Sequence, residues 1–461
     1  MKKIIKVLLC LCLCVISIGF TACGGKTKIE MPSSDATVSS NGGIVVNKGN
    51  FLYYANGYQA KEDVTKSMLK KGFKHAGLYM AKENEKGVLT YNENGSVDSA
   101  KRLSSRLAGF EATDLHIFGN HLYFTSVNKE ETKNGAIQTG RLEIYRMKLN
   151  GNGLTRVYRS SVDFLDSEGE QIVTFDYFNE DSNVYILINE NGKLKHIKCT
   201  SGSIGGVKNV DSDVLSLVIP EDNNYNNVFY TKTDEDENYV VNRLNAKLGE
   251  VVTTKTCDKD DVIDGLFASK FGYLYFYATF EIKDSKLLYR ISYEDFEEKG
   301  IKYTSCQNNQ LTTIDYTSIY LLENELDGIL AISSSKVEII NTNNPLTVLK
   351  LQNNLPADAN IMLVKNGYVY YYTDNTIKRW NYTTDQSETV YEDENTVLNH
   401  AFDIDESYIY YYATKGENDY LFRVKFADTT PEKTSELVGV YLEIDEIKPE
   451  KEEVEGTETE E

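Results

Sequence analysis

Between residues 44 and 441 the chain repeats one hydropathic theme: a short aromatic and apolar run, a polar loop, a second short apolar run, and a turn. The first run appears as Phe51–Tyr54, His121–Phe124, Val184–Leu187, Val228–Tyr230, Tyr273–Tyr277, Gly328–Ile332, Tyr368–Tyr372 and Tyr408–Tyr412. Period-two alternation, or a short wholly apolar run bounded by turn residues, predicts strands rather than helices. Gly119-Asn120, Asn226-Asn227 and Asn366-Gly367 introduce three of these runs with turn chemistry.

The second run carries a marker. Ile144-Tyr145-Arg146 recurs as Val241-Asn242-Arg243, Leu288-Tyr289-Arg290, Ile377-Lys378-Arg379 and Leu421-Phe422-Arg423. Worn copies stand at Leu78-Tyr79-Met80, Leu194-Lys195-His196 and Val337-Glu338-Ile339. From Arg146 the third positions step by 50, 47, 47, 49, 40 and 44 residues, and Met80 lies 66 before Arg146. Each period reads as strand, turn, aromatic strand, loop, arginine-bearing strand, turn and last strand, which is the content of one β-propeller blade. A single four-stranded sheet cannot bury both of its faces, whereas radial stacking covers each with a neighbour.

The expected fold is therefore an all-β propeller of four-stranded blades. The count gives eight, or seven if the irregular first period is accessory. The 33 Tyr and 18 Phe fit this, because large aromatics suit half-buried strands. Recurrence at one position in five blades assigns Arg146, Arg243, Arg290, Arg379 and Arg423 to a blade-level task. Their stems would pack on aromatic rings and their guanidinium groups would pair locally, in place of a ligand-binding ring.

Tyr371-Tyr372-Thr373-Asp374 followed by Ile377-Lys378-Arg379, and Tyr123-Phe124-Thr125-Ser126 followed by Ile144-Tyr145-Arg146, resemble the YWTD-type propellers of low-density-lipoprotein receptors. They are more closely similar to the receptor-like propeller domains of bacterial surface lipoproteins. The motif's tryptophan is missing, the single Trp being Trp380. The resemblance implies a fold and an interaction role, with no activity attached.

The N-terminus reads as an address. Lys2, Lys3 and Lys6 precede an apolar run from Val7 to Ile18, too short to span a bilayer and suited to a signal peptide. Phe20-Thr21-Ala22-Cys23-Gly24 resembles a lipobox, which implies cleavage before Cys23, lipidation of its thiol and anchoring on the outer side of a bacterial cell membrane. The expected organisation is a signal peptide at 1–22, a lipid anchor and flexible stalk at 23–43, the propeller at 44–441 and a disordered tail at 442–461. That tail holds ten carboxylates and two lysines. The formal charge of −21 disfavours nucleic acid as a partner.

Other motifs reduce to plainer readings. Asn150-Gly151-Asn152-Gly153 lacks the lysine of a phosphate loop and reads as a hairpin turn. His116 and His121 flank a turn, and Cys199, Cys257 and Cys306 have no zinc spacing, which favours buried free thiols. Asp258–Gly265 misses the EF-hand pattern, so a loop calcium ion there or at Asp234–Glu237 is a minor alternative to no cofactor and no metal. Ser67–Lys70 and Ser333–Lys336 match S-x-x-K without its partner motifs. Ala60–Lys74, with four lysines before Gly72, reads as a loop or helical excursion from one face.

No complete catalytic motif is left over. The chain is expected to be a non-enzymatic binding module for a protein, peptide or envelope glycan. The alternative is a propeller hydrolase or lyase acting on cell-wall or polysaccharide substrates through carboxylates at the channel mouth.

Overall fold

The structure, a computed structural model, describes residues 29–443 with breaks, the longest at 60–76, 107–114, 128–140 and 426–434. The lipobox with Cys23, the Ala60–Lys74 excursion, Ser67–Lys70 and the tail beyond Glu443 lie outside the described residues.

Eight antiparallel sheets follow one another along the chain, each a meander whose strands pair in sequence order. They are blades 1 to 8, spanning residues 38–104, 116–159, 173–211, 216–256, 262–292, 318–352, 360–392 and 397–440. Tight turns make the meanders possible. Asn366 and Gly367, at φ 53° and 78°, both adopt the left-handed backbone that matches a two-residue hairpin to strand twist.

The repeat read from the sequence is a structural register. Its third position lies across from one residue of the aromatic second strand in every blade: Tyr53 opposite Met80, Tyr123 opposite Arg146, Leu187 opposite His196, and Phe229 opposite Arg243. The remaining pairs are Tyr275 with Arg290, Leu330 with Ile339, Tyr370 with Arg379, and Tyr410 with Arg423.

Burial grades outward along each blade. Second strands such as Phe51–Asn56 and Asn183–Glu190 are almost wholly buried, and fourth strands such as Glu250–Thr256 are mostly exposed. The core is divided among the blade interfaces: Phe124 and Tyr145 of blade 2 meet Val46 and Tyr53 of blade 1, and equivalent apolar clusters join each later pair. The last cluster joins Tyr410 and Leu421 of blade 8 to Val45, Leu52 and Tyr54 of blade 1, so the eight sheets close into a ring.

Two sheets depart from the four-strand expectation. Blade 5 has three strands, and its chain turns after Ser292 into helix Tyr293–Lys299 and a shorter helical turn, Tyr303–Cys306. The helix has local causes: Ser292 caps its start by accepting the amide of Asp295 at 3.0 Å, acidic residues occupy its first turn and Gly300 ends it. Phe296, Ile301 and Cys306 then bury themselves in the interface of blades 4 and 5. Gln310 makes an isolated bridge to Tyr289 where a fourth strand would run.

Blade 1 gains a fifth strand, because Val38–Ser39 pairs with Asn47 and Lys48. The chain is thus seated on the ring well before residue 44, within the segment expected to be stalk. Ile29 and Val38 pack on the core between blades 1 and 2. Gly42 donates to the carbonyl of Leu115 at 2.8 Å, Asn41 Oδ1 accepts from the amide of Ile117 at 2.6 Å, and Ser40 Oγ donates to the carbonyl of Ile404 at 3.0 Å. The segment stitches blades 8, 1 and 2 together. At the other end Leu442–Glu443 pairs in parallel with Tyr58–Gln59, so the ordered chain also reaches past the expected start of the tail.

The closure holds the carboxylate of Asp403, whose Oδ2 lies 1.6 Å from where a Cβ on Gly43 would sit, so only glycine admits it. Burial pushes its pKa up to about 7, against the lowering effect of the Ile404 and Val45 amides and of Lys365. The folded state therefore holds this proton more tightly than the unfolded chain, whose value is roughly 4, and stability falls as pH rises through that window. Asp403→Asn should melt above the wild type at pH 8, with an advantage that shrinks as the pH falls below about 7 and is gone by about pH 4. A difference in melting temperature that does not change with pH would refute the assignment.

Candidate functional site

The repeat arginines show what the blades share. Arg423 is fully buried between Glu436, at 2.6 Å, and Glu83, with its guanidinium 4.0 Å from the ring of Tyr408. Arg379 pairs with Glu388 and lies 4.5 Å from the ring of Tyr368. Arg290 is 4.0 Å from the ring of Tyr273. Arg243 pairs with Glu297 and donates to the carbonyl of Asn226 at 2.9 Å and to Asn227 Oδ1 at 2.8 Å.

Arg146 differs. It is buried, and its Nη1 donates to the carbonyl of Thr200 in blade 3 at 2.6 Å. Among the described residues it has no carboxylate partner. In blades 5, 7 and 8 the position two residues before the arginine's cross-strand partner is Tyr273, Tyr368 or Tyr408, the ring beneath the guanidinium. Blade 2 has His121 there, directly across from Lys148.

Strand geometry puts these groups together. On Leu142–Lys148, side chains 142, 144, 146 and 148 share one face, and the paired residues of His121–Val127 extend it. Leu142, Ile144 and Tyr123 pack on Val184, Ile186 and Ile197 of blade 3. Toward the turn end of the strands the apolar contact gives way to a cavity of about 450 Å³. Phe118 through His121, Tyr123 and Lys148 line its blade 2 side. Ser182, Val184, Thr200 and Ser201 line the blade 3 side, and Met31 and Ser34 of the N-terminal segment complete the rim.

The cavity is cationic in a strongly acidic protein. Burial, then the charges of Arg146 and Lys148, hold the His121 pKa below the usual imidazole value. Burial pushes the Tyr123 phenol up to about 12, against its hydrogen bond with Arg146, so it stays a hydrogen-bond donor at neutral pH. Cys199 is buried beside the same arginine, and burial pushes its thiol up to about 11. Such a thiol is an unreactive packing group. Reading the repeats for what they share left His121 as a turn histidine and Tyr123 and Lys148 as blade residues; the available signal was a histidine where three other blades place tyrosine.

The other sequence candidates do not converge on a site. His116 lies with its ring centroid 4.4 Å from that of Tyr177 and pairs across strands with Tyr123, away from His121. Asp258 is bound to Lys302 at 2.7 Å, Asp261 accepts the amide of Glu281 at 3.2 Å, and Asp264 accepts from Thr279 Oγ1 at 2.9 Å. Asp234 closes a turn by accepting the amides of Asp236 and Asn238 at 3.0 and 2.9 Å. Among the described residues, no group of three or more His, Cys, Asp or Glu is arranged to hold a metal ion. Ser333 and Lys336 pair with each other as the ends of a hairpin. Asn150 to Gly153 also form a turn, with the amide of Lys148 donating to the carbonyl of Asn152 at 2.8 Å. Cys257 and Cys306 are buried and free, with burial pushing their thiols up to about 12 and about 11.

No family model matches the chain, and no curated protein matches it. Solved structures similar to it include the β-propeller domain of the Trilobed protease from Pyrococcus furiosus, described as having an open velcro topology. That match has a TM-score of 0.39 at 12% identity and covers 70% of this chain and 95% of that one. Pyrococcus horikoshii acylaminoacyl peptidase matches with a TM-score of 0.39 at 10% identity, over 70% of this chain and 51% of the other.

Proposed function

We propose that this chain is a non-enzymatic, lipid-anchored extracytoplasmic propeller, of the YWTD-like kind found in bacterial surface lipoproteins, that binds an envelope component. The observation that carries the reading is the cavity between blades 2 and 3, where an apolar wall of Phe118 and Val184 meets Lys148, His121 and Tyr123 at the place where other blades set a tyrosine ring under the arginine. No carboxylate stands among the described residues lining it, which supports binding over a glycosidase-like pair of acids at this cavity. The lipobox at Cys23 supports the anchor.

Two measurements test the parts. Cys23→Ala should abolish palmitate labelling and release the protein to the medium; unchanged labelling would remove the anchor from the reading. The released Cys23→Ala chain, immobilised, should retain an envelope protein, peptide or glycan saturably, and Lys148→Met should weaken that retention about tenfold or more, the scale of one charge-assisted hydrogen bond. Turnover of a cell-wall polysaccharide with no saturable retention would overturn it in favour of a hydrolase or lyase.

A further inference from the structure

We propose that the cavity between blades 2 and 3 is an oxyanion site, taking a carboxylate or phosphate carried on a body of saccharide or dipeptide size. This deepens the binding reading and rests on the cavity being the ligand site.

The charge balance comes first. Arg243, Arg379 and Arg423 each meet a carboxylate, whereas among the described residues neither Arg146 nor Lys148 has one. An arginine taken out of water without a counter-charge is costly, and the cost is offset when an anion occupies the space beside it. Arg146 is held in place by the Thr200 carbonyl at 2.6 Å and by the phenol of Tyr123. The site is thereby ordered before any ligand arrives, which limits the entropy lost on binding.

The donor set points the same way. Lys148 and His121 are paired across two strands, Tyr123 and Arg146 are the next pair on the same face, and Ser182 and Ser201 line the blade 3 side of the cavity. Donors from two sheets converge on one space, and charge-assisted hydrogen bonds to an oxyanion are about twice as strong as neutral ones. Phe118 and Val184 add an apolar wall for the organic part of a ligand. A volume of about 450 Å³ falls within the usual range for small-ligand sites and exceeds what a bare phosphate fills.

The test is calorimetric titration of the full chain carrying Cys23→Ala with glucose 1-phosphate, glucuronate and, as a neutral control, glucose. One or both anions should bind saturably and glucose should not; which anion binds more tightly separates a phosphate from a carboxylate ligand. Lys148→Met, at an exposed position on the rim, should weaken binding tenfold or more while leaving the melting temperature unchanged. Arg146 stands behind the lining residues Tyr123 and Thr200; Arg146→Lys keeps a cation there and should retain part of the affinity that Arg146→Met loses. Binding of neither anion, or binding indifferent to Lys148→Met, overturns the proposal. Saturable glucose binding that Val184→Trp blocks would overturn the oxyanion assignment and leave the cavity's binding role standing.

Discussion

Arg423→Met lowers the stability of the ring by about 3–5 kcal/mol, the range for removing one partner of a buried charge network. Arg423 is fully buried and joins Glu436 of its own blade to Glu83 and the carbonyl of Gly87 in blade 1. Its loss would leave two carboxylates facing each other at the one interface made by residues from opposite ends of the chain. Burial already outweighs Arg423 at Glu83 and raises the pKa of that carboxylate. Beside them Asn47 Nδ2 donates to Asp405 Oδ2 at 2.7 Å, and the Tyr410 hydroxyl donates to the same oxygen at 2.8 Å, so polar groups would be stranded across the whole seam. Denaturant unfolding followed by circular dichroism measures the loss. Arg379→Met is the control: its partner Glu388 is 54% exposed, and exposed pairs contribute about 0–1 kcal/mol. Equal losses at the two sites would refute the special role of the closure.

The second large effect is expected at Trp380. Its side chain is fully buried between blades 6 and 7 with Leu330, Val369 and Tyr371, and its indole N–H donates to Asp385 Oδ1 at 3.0 Å. Trp380→Ala should cost about 3–5 kcal/mol through the cavity it leaves. Trp380→Phe should cost less, because much of the ring volume is kept while Asp385 loses one donor. As the only tryptophan in the chain, Trp380 also reports its own burial. The native emission should be blue-shifted and should move to the red in one step with unfolding. An emission already red-shifted in the native protein would contradict the burial.

Much of the fold was legible because its causes are local. Aromatic alternation made the second strands, the Asn-Gly and Gly-Asn turns made the hairpins, and the spacing of Arg146, Arg243, Arg290, Arg379 and Arg423 marked third strands in a common register. Blade 5 is instructive, because its helical signals were equally local. Ser292 as cap and Gly300 as stop were visible in the sequence, yet a reading organised around a four-strand period took the stretch for a strand. The candidate site was hidden for a different reason. His121 and Lys148 are 27 residues apart in sequence and meet only through strand pairing, and the cavity appears only where a second blade stands opposite.

The sequence by itself narrowed the number of blades to eight or seven and determined their strand order and the residues at the centre of each sheet, because period and turn chemistry act over a few residues. Tertiary structure alone decided how the ring closes, where Ile29 to Gly43 lie, and that Arg146 meets no carboxylate among the described residues. Each of these depends on groups far apart in the chain, brought together when the blades bury their faces against one another.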